Sequence, residues 1–132
     1  MNQPIPPTPA IRIIIVGGSP ETQAGLCELL EFNPLIKVIG CADHAIAALK
    51  LCDTLKPDLV VMALMSPVCD GVIGTRLLKS CIREIKVMLI VRMGEREMLN
   101  YAHLARADGC LFLPVSIEKI FMAIKNIIFK DE

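Results

Sequence analysis

The sequence predicts an α/β domain, a (βα)5 doubly wound three-layer sandwich built on a five-stranded parallel sheet. Three observations predict it. Five short runs are nearly continuous in apolar residues rather than alternating, the mark of strands covered on both faces. Stretches with helical spacing separate each run from the next. The resulting order, βαβαβαβαβα, implies right-handed crossovers that lay helices on both faces of one sheet.

The first strand is "IRIIIV", Ile11–Val16. A helix follows in "GSPETQAGLCELLEF", where Ser19 can cap, Pro20 suits the first helical position and Glu21 favours the positive helix end. Leu26, Leu29 and Leu30 share one of its faces. The second strand is "KVIGC", Lys37–Cys41, and the second helix is expected from Asp43, with Ile46, Ala47, Leu49 and Leu51 following. The third strand is "DLVVMA", Asp58–Ala63. Asp70-Gly71 reads as turn chemistry entering a third helix that carries Ile73, Leu77 and Leu78. The fourth strand is "KVMLIV", Lys86–Val91, with a helix from about Glu95 to Arg106 after it. The fifth strand is "GCLFL", Gly109–Leu113. The fifth helix is expected to be capped by Ser116 and to bury Ile117, Ile120, Phe121, Ile124 and Ile128.

A length of 132 residues is one domain's worth, and an apolar content of 54% allows a substantial core. The formal net charge is zero, which argues against direct nucleic-acid contact and leaves little repulsion to oppose self-association. No apolar run reaches the roughly 18 residues that span a bilayer, so no membrane role is expected. The start, "MNQPIPPTPA", has neither a basic beginning nor an apolar core, so it is not a signal peptide. Residues 1–10 read as a disordered or extended proline-rich leader and residues 11–130 as the folded domain, with the cytoplasm as the expected location. The six cysteines form no C-x-x-C pair and read as reduced, small apolar packers. His44 and His103 have no cysteine at zinc-finger spacing, and neither has a partner that suggests acid–base work.

Ligands of doubly wound sheets bind beyond the carboxyl ends of the strands. Here those ends are Gly17-Gly18, Ala63, Val91-Arg92 and Leu113-Pro114. A magnesium site there would need carboxylates, and covalent phosphoryl transfer would need a nucleophile. The ends offer neither, so no metal, cofactor or catalytic residue is expected. Gly17-Gly18-Ser19 precedes a helix but lacks both the dinucleotide glycine pattern and a P-loop lysine, so it reads as a turn and cap. Ser66 reads as a loop residue. Cys69 is a redox-sensor candidate only if its thiol is activated, with Arg92 the one group available across the strand ends.

The sequence resembles the bacterial response-regulator receiver domain, the flavodoxin-like module of two-component signalling, and most closely the NarL/LuxR type. Three segments carry the resemblance, in order and at the right spacing: "IRIIIV" with "SPETQAGLCELLE", "PDLVVM" with the Pro67 and Asp70-Gly71 that follow, and "ADGCLFLPVSIEKIFMAIKNI". The resemblance implies an acidic magnesium pair at Gly17 and Gly18, and a phosphate-accepting aspartate at Ala63. It implies a hydroxyl residue at Val91, a lysine at Leu113 before Pro114, and a switch aromatic at Cys110. All six positions depart from that pattern.

The expectation is therefore a pseudo-receiver: a non-enzymatic, phosphorylation-independent regulatory and interaction domain, the N-terminal part of a transcription regulator. The alternative is a receiver-like domain sensing a small molecule or redox state at the vestigial pocket. Homodimerisation or partner-protein binding is expected at apolar groups outside the core stripes. Ala24 and Cys27 fall on the outer, glutamate-rich side of the first helix, and Met122 and Phe129 on the outer side of the fifth. The resemblance implies dimers through the first and fifth helices, or through the surface that Tyr101 and Leu104 would join.

Overall fold

The computed structural model describes residues 10–63, 68–92 and 106–129, and excludes the side chains of residues 68–71 and 92. In chain order the elements are β1 (Ile11–Val16), α1 (Pro20–Leu30), β2 (Ile36–Ala42), α2 (Ala45–Leu55), β3 (Leu59–Ala63), α3 (Val68–Cys81), β4 (Val87–Arg92), β5 (Gly109–Leu113) and α4 (Ile117–Ile128). The helix expected from Glu95 lies outside the described residues, apart from Arg106, which forms a turn with φ of 64°. The label α4 accordingly belongs to the last helix.

All the strands are parallel, in the order β2-β1-β3-β4-β5. This is the predicted flavodoxin-like sandwich. The chain runs outward from β1 to β2, then returns to place β3 on the other side of β1. The order reverses at β1 and β3, and the switch point lies beyond their carboxyl ends.

Each face of the sheet has its own core. Ile14, Val16, Val60, Met62 and Leu89 pack with Ala48, Cys52 and Leu78 of α2 and α3. Ile13, Ile15, Val61 and Ile90 pack with Leu30 of α1 and with Ile120, Ile124 and Ile127 of α4. Each fully buried aliphatic side chain contributes about 1.5–3 kcal/mol. Period-two alternation within the strands thus sorts their residues into two layers, which is why the runs read as continuously apolar.

Local chemistry sets most boundaries. Ser19 and Ser116 cap α1 and α4 as expected, accepting from Thr22 N at 3.1 Å and Lys119 N at 3.2 Å. The α2 helix starts at Ala45 rather than Asp43. The backbone of His44 is extended, and its Nδ1 accepts from Ala47 N at 3.3 Å, so histidine is the cap. The α3 helix begins at Val68 and runs through Asp70-Gly71, because a dipeptide's turn preference is a weak prior against tertiary context. A Cβ at Gly74 would meet Ala45 Cβ at 2.8 Å, so the glycine permits the close contact of α2 with α3.

Other expectations need correction at the edges of the stripes. In α4, Ile127 is buried with Ile120 and Ile124, whereas Ile117, Phe121 and Ile128 are half buried, since 100° steps turn them to the side. Leu29 lies beside the stripe of Leu26 and Leu30 and is exposed, as are Ile46 and Ile73. Cys52 is a buried packer, but Cys41 and Cys81 are exposed.

Charge closes the sheet's far end. The Asp108 carboxylate accepts from Lys79 Nζ at 2.6 Å and from Val87 N at 2.8 Å, tying α3 and the starts of β4 and β5 together. Asp58 does the same for β1, accepting from Arg12 N at 2.8 Å. Among the described residues no buried side-chain nitrogen or oxygen lacks a partner. None of the described helices is long and apolar enough to cross a membrane.

Truncating Ile124 to alanine should cost about 2–5 kcal/mol of stability, and Met122→Ala within about 0.5 kcal/mol of none. Urea unfolding of both variants checks the assignment of the inner and outer faces of α4.

Candidate functional site

The site is built at the switch point, where β1 and β3 end side by side. Val16 is fully buried and the chain turns immediately after it. Gly17 and Gly18 both lie in the left-handed region, with φ of 85° and 79°. Residues with a Cβ adopt that conformation at a cost. At Gly17 there is also no space: a Cβ would sit 2.7 Å from the Ala63 carbonyl oxygen. At Gly18 a Cβ would approach Thr22 Cγ2 to 3.1 Å and Ala63 Cβ to 3.6 Å. The fold thus brings Gly17, Gly18 and Ala63 into one contact, although 45 positions separate the last two in the sequence.

The floor of this contact is apolar. Ala63 is buried, and its cross-strand partner Ile90 precedes Val91, which is 1% exposed. An ion at such a floor would need donors or a counter-charge to offset its desolvation. Ser19 does not supply them, because its oxygen is engaged with Thr22 N and Thr22 Oγ1. Leu113 stands at the end of β5 and is 36% exposed. Cys110, half buried near the start of β5, packs against the core shared with α2 and α3, and burial pushes its thiol up.

Sequence reasoning missed Gln23. Its Nε2 donates to Gly17 O at 3.0 Å and to Ala42 O at 3.2 Å, with a longer contact of 3.4 Å to Asp43 Oδ1. One neutral amide therefore joins the ends of β1 and β2 to the second turn of α1. Gly17 N completes the junction by donating to Ala42 O at 2.8 Å. The exposed Asp43 is a carboxylate beside the mouth, at the end of β2 rather than of β1 or β3. No signal in the sequence singles out Gln23, because a glutamine on a helix is ordinary until its distance to the strand ends is known.

The other candidates are dispersed. Met122 and Phe129 are 62% and 50% exposed on the outer line of α4, and Ala24 is exposed on α1. Cys27 is half buried and packs against the core beneath α1, so it does not share Ala24's outward position. Tyr101, Leu104, His103 and Ser66 lie outside the described residues, as do the side chains of Cys69, Asp70 and Arg92. Among the described residues no three His, Cys, Asp or Glu side chains are placed to hold a metal ion. A cleft of about 540 Å³ opens at the opposite end of the sheet, between Cys52, Lys56, Asp58, Cys81 and Glu84. A groove of about 400 Å³ runs between Gly25, Glu28, Leu29 and Phe32 of the α1 region and Ile117 of α4.

Gln23→Ala should lower stability by about 1–2 kcal/mol, the cost of removing the side-chain donor from Gly17 O and one of two donors from Ala42 O. Gly17→Asp should lower it by about 1–3 kcal/mol from backbone strain, with the contact to Ala63 adding to that. Urea midpoints of the two variants measure this, and an unchanged midpoint for Gly17→Asp would contradict the close contact.

The family model described as "Response regulator receiver domain" matches residues 13–125. Transcriptional regulatory protein LnrK of Bacillus subtilis (strain 168) is 29% identical over 117 residues, which are 89% of this chain and 53% of LnrK. The chain thus spans about half the length of that relative. The crystal structure of a LuxR-family two-component response regulator from Aurantimonas sp. SI85-9A1 superposes with a TM-score of 0.81 at 25% identity, over 90% of this chain and 85% of that one. The receiver domain of the response regulator NarL from Mycobacterium tuberculosis has a TM-score of 0.80 at 24% identity over 93% of this chain and 98% of its own, and speaks for the fold alone. With its sheet order, its switch-point mouth and a family match across residues 13–125, this protein belongs to the response regulator receiver domain family.

Proposed function

We propose that this chain is a pseudo-receiver, a regulatory and interaction domain that works without phosphorylation. The observation that carries the reading is the Gly17-Gly18 turn against Ala63. The resemblance implies carboxylates at these positions. Here two have left-handed glycine backbones, and the third, Ala63, presents a methyl group to a crowded apolar floor. The Gln23 amide joins the neighbouring ends of β1 and β2 through neutral hydrogen bonds. In this reading the mouth holds one conformation by packing and neutral hydrogen bonds, with no metal, no cofactor and no turnover. Control then passes to association.

Residues 11–130 form the receiver-like unit in this proposal, preceded by the proline-rich leader of residues 1–10, in a cytoplasmic transcription regulator. The name of LnrK supports a transcriptional output. The partner is a second copy. Met122 and Phe129 stand exposed among Lys119 and Lys125 on α4, while the neighbouring groove offers Leu29, Phe32 and the carboxylate of Glu28. A two-fold pairing would set the apolar ridge of each copy against the groove of the other, with lysine facing glutamate twice. In this proposal the domain itself makes no direct contact with nucleic acid.

Treatment with acetyl phosphate and Mg²⁺ should leave the intact mass unchanged, and beryllofluoride with Mg²⁺ should leave the melting temperature unchanged. Ala63→Asp alone should also gain no phosphate, because the magnesium pair is still missing. A covalent phosphate on the wild-type chain would sink the proposal. Phe129→Asp should shift sedimentation equilibrium toward the monomer, and an unaltered mass average would remove the α4 ridge from the interface.

A further inference from the structure

Gln23, Cys27 and Glu31 recur every fourth residue and share one side of α1 and its C-cap. The outer two are bonded to β2. Gln23 Nε2 donates to Ala42 O at 3.2 Å, and Glu31 Oε2 accepts from Val38 N at 2.8 Å. Cys27, one turn from each, therefore lies over the stretch of β2 between Val38 and Ala42.

That stretch does not alternate regularly. Ile13 pairs with Val38 but Ile14 pairs with Gly40, so Ile39 is an extra residue and the register slips. Beyond the bulge Cys41 pairs with Ile15, whose side chain belongs to the layer under α1 and α4. Paired residues on neighbouring strands point to the same face, so Cys41 points toward α1. Cys27 is half buried against that layer, and Cys41 is exposed on the edge strand.

We propose that Cys27 and Cys41 form a redox-active thiol pair that a low-molecular-weight disulfide oxidises to an intramolecular disulfide. The exposed Cys41 thiolate attacks one sulfur of the oxidant, forms a mixed disulfide and expels the other half as a thiolate. Cys27, deprotonated in turn, attacks the Cys41 sulfur, closes the Cys27–Cys41 bond and releases the second half. Two electrons pass to the oxidant, and the two thiol protons end on the two small thiols released. Burial, then the carboxylates of Glu31 and Glu28, push the Cys27 thiol up, and burial and the neighbouring Cys27 push Cys41 up. Such thiols attack slowly at neutral pH and are poor leaving groups once joined, so the bond forms slowly and resists reduction. Once formed, it pins α1 to the edge strand one turn from the Gln23 bridge. The inference does not depend on the reading of the strand mouth.

The test is incubation of the purified chain with oxidised glutathione at mildly alkaline pH, followed by non-reducing peptide mapping. A Cys27–Cys41 cross-linked peptide is expected, with an intact-mass loss of about 2 Da. Cys41→Ser should abolish the cross-link, and Cys27→Ser should leave glutathione bound at Cys41, with circular dichroism confirming that both variants fold. A wild-type chain that keeps glutathione on Cys41, fails to react, or cross-links through Cys52 and Cys81 or between chains would overturn the proposal.

Discussion

The mouth of this domain depends on one close approach, that of Gly17 to the carbonyl of Ala63. A parallel sheet whose order reverses at β1 and β3 must bring those two strand ends together. Here they meet so closely that a Cβ on the residue after β1 would sit 2.7 Å from the Ala63 carbonyl oxygen, and that residue is a glycine with a left-handed backbone. The floor at Ala63 and Val91 is apolar, and a charge there would lose its hydration without a counter-charge to replace it.

Neutral chemistry takes over the positioning. Gln23 holds the β1 and β2 ends through carbonyls, Ser19 and Thr22 satisfy the start of α1, and Gly17 N bonds Ala42 O. Charged groups act instead at the opposite end of the sheet, where Asp108 pairs with Lys79, Asp58 accepts from the Arg12 backbone N and the Arg12 guanidinium donates to Lys56 O. The two ends of the sheet are thus held by different physics: crowding and amide hydrogen bonds at the mouth, charge-assisted bonds at the base.

Much of the molecule was legible in the chain. Strand runs such as Ile11–Val16 and Gly109–Leu113 were readable to the residue, because a short, nearly continuous apolar run marks a strand; the first is mostly buried, and the edge strand Gly109–Leu113 is largely half buried. The caps Ser19 and Ser116 were readable because their chemistry is local. Less legible were the start of α2, which begins at Ala45 rather than Asp43, and the inner face of α4, where Ile127 replaces Ile128. In both places a neighbouring element selects among residues that the local pattern leaves nearly equal.

By itself, then, the sequence determined the order of the described elements and the two-sided burial of the central strands, since both rest on side-chain type and short-range spacing. Only the tertiary structure decided the left-handed turn at Gly17-Gly18, the bridge from Gln23, and the bulge at Ile39 that turns Cys41 toward Cys27. These depend on what an adjacent strand or helix presents across a few ångströms, and the positions that meet there lie far apart along the chain.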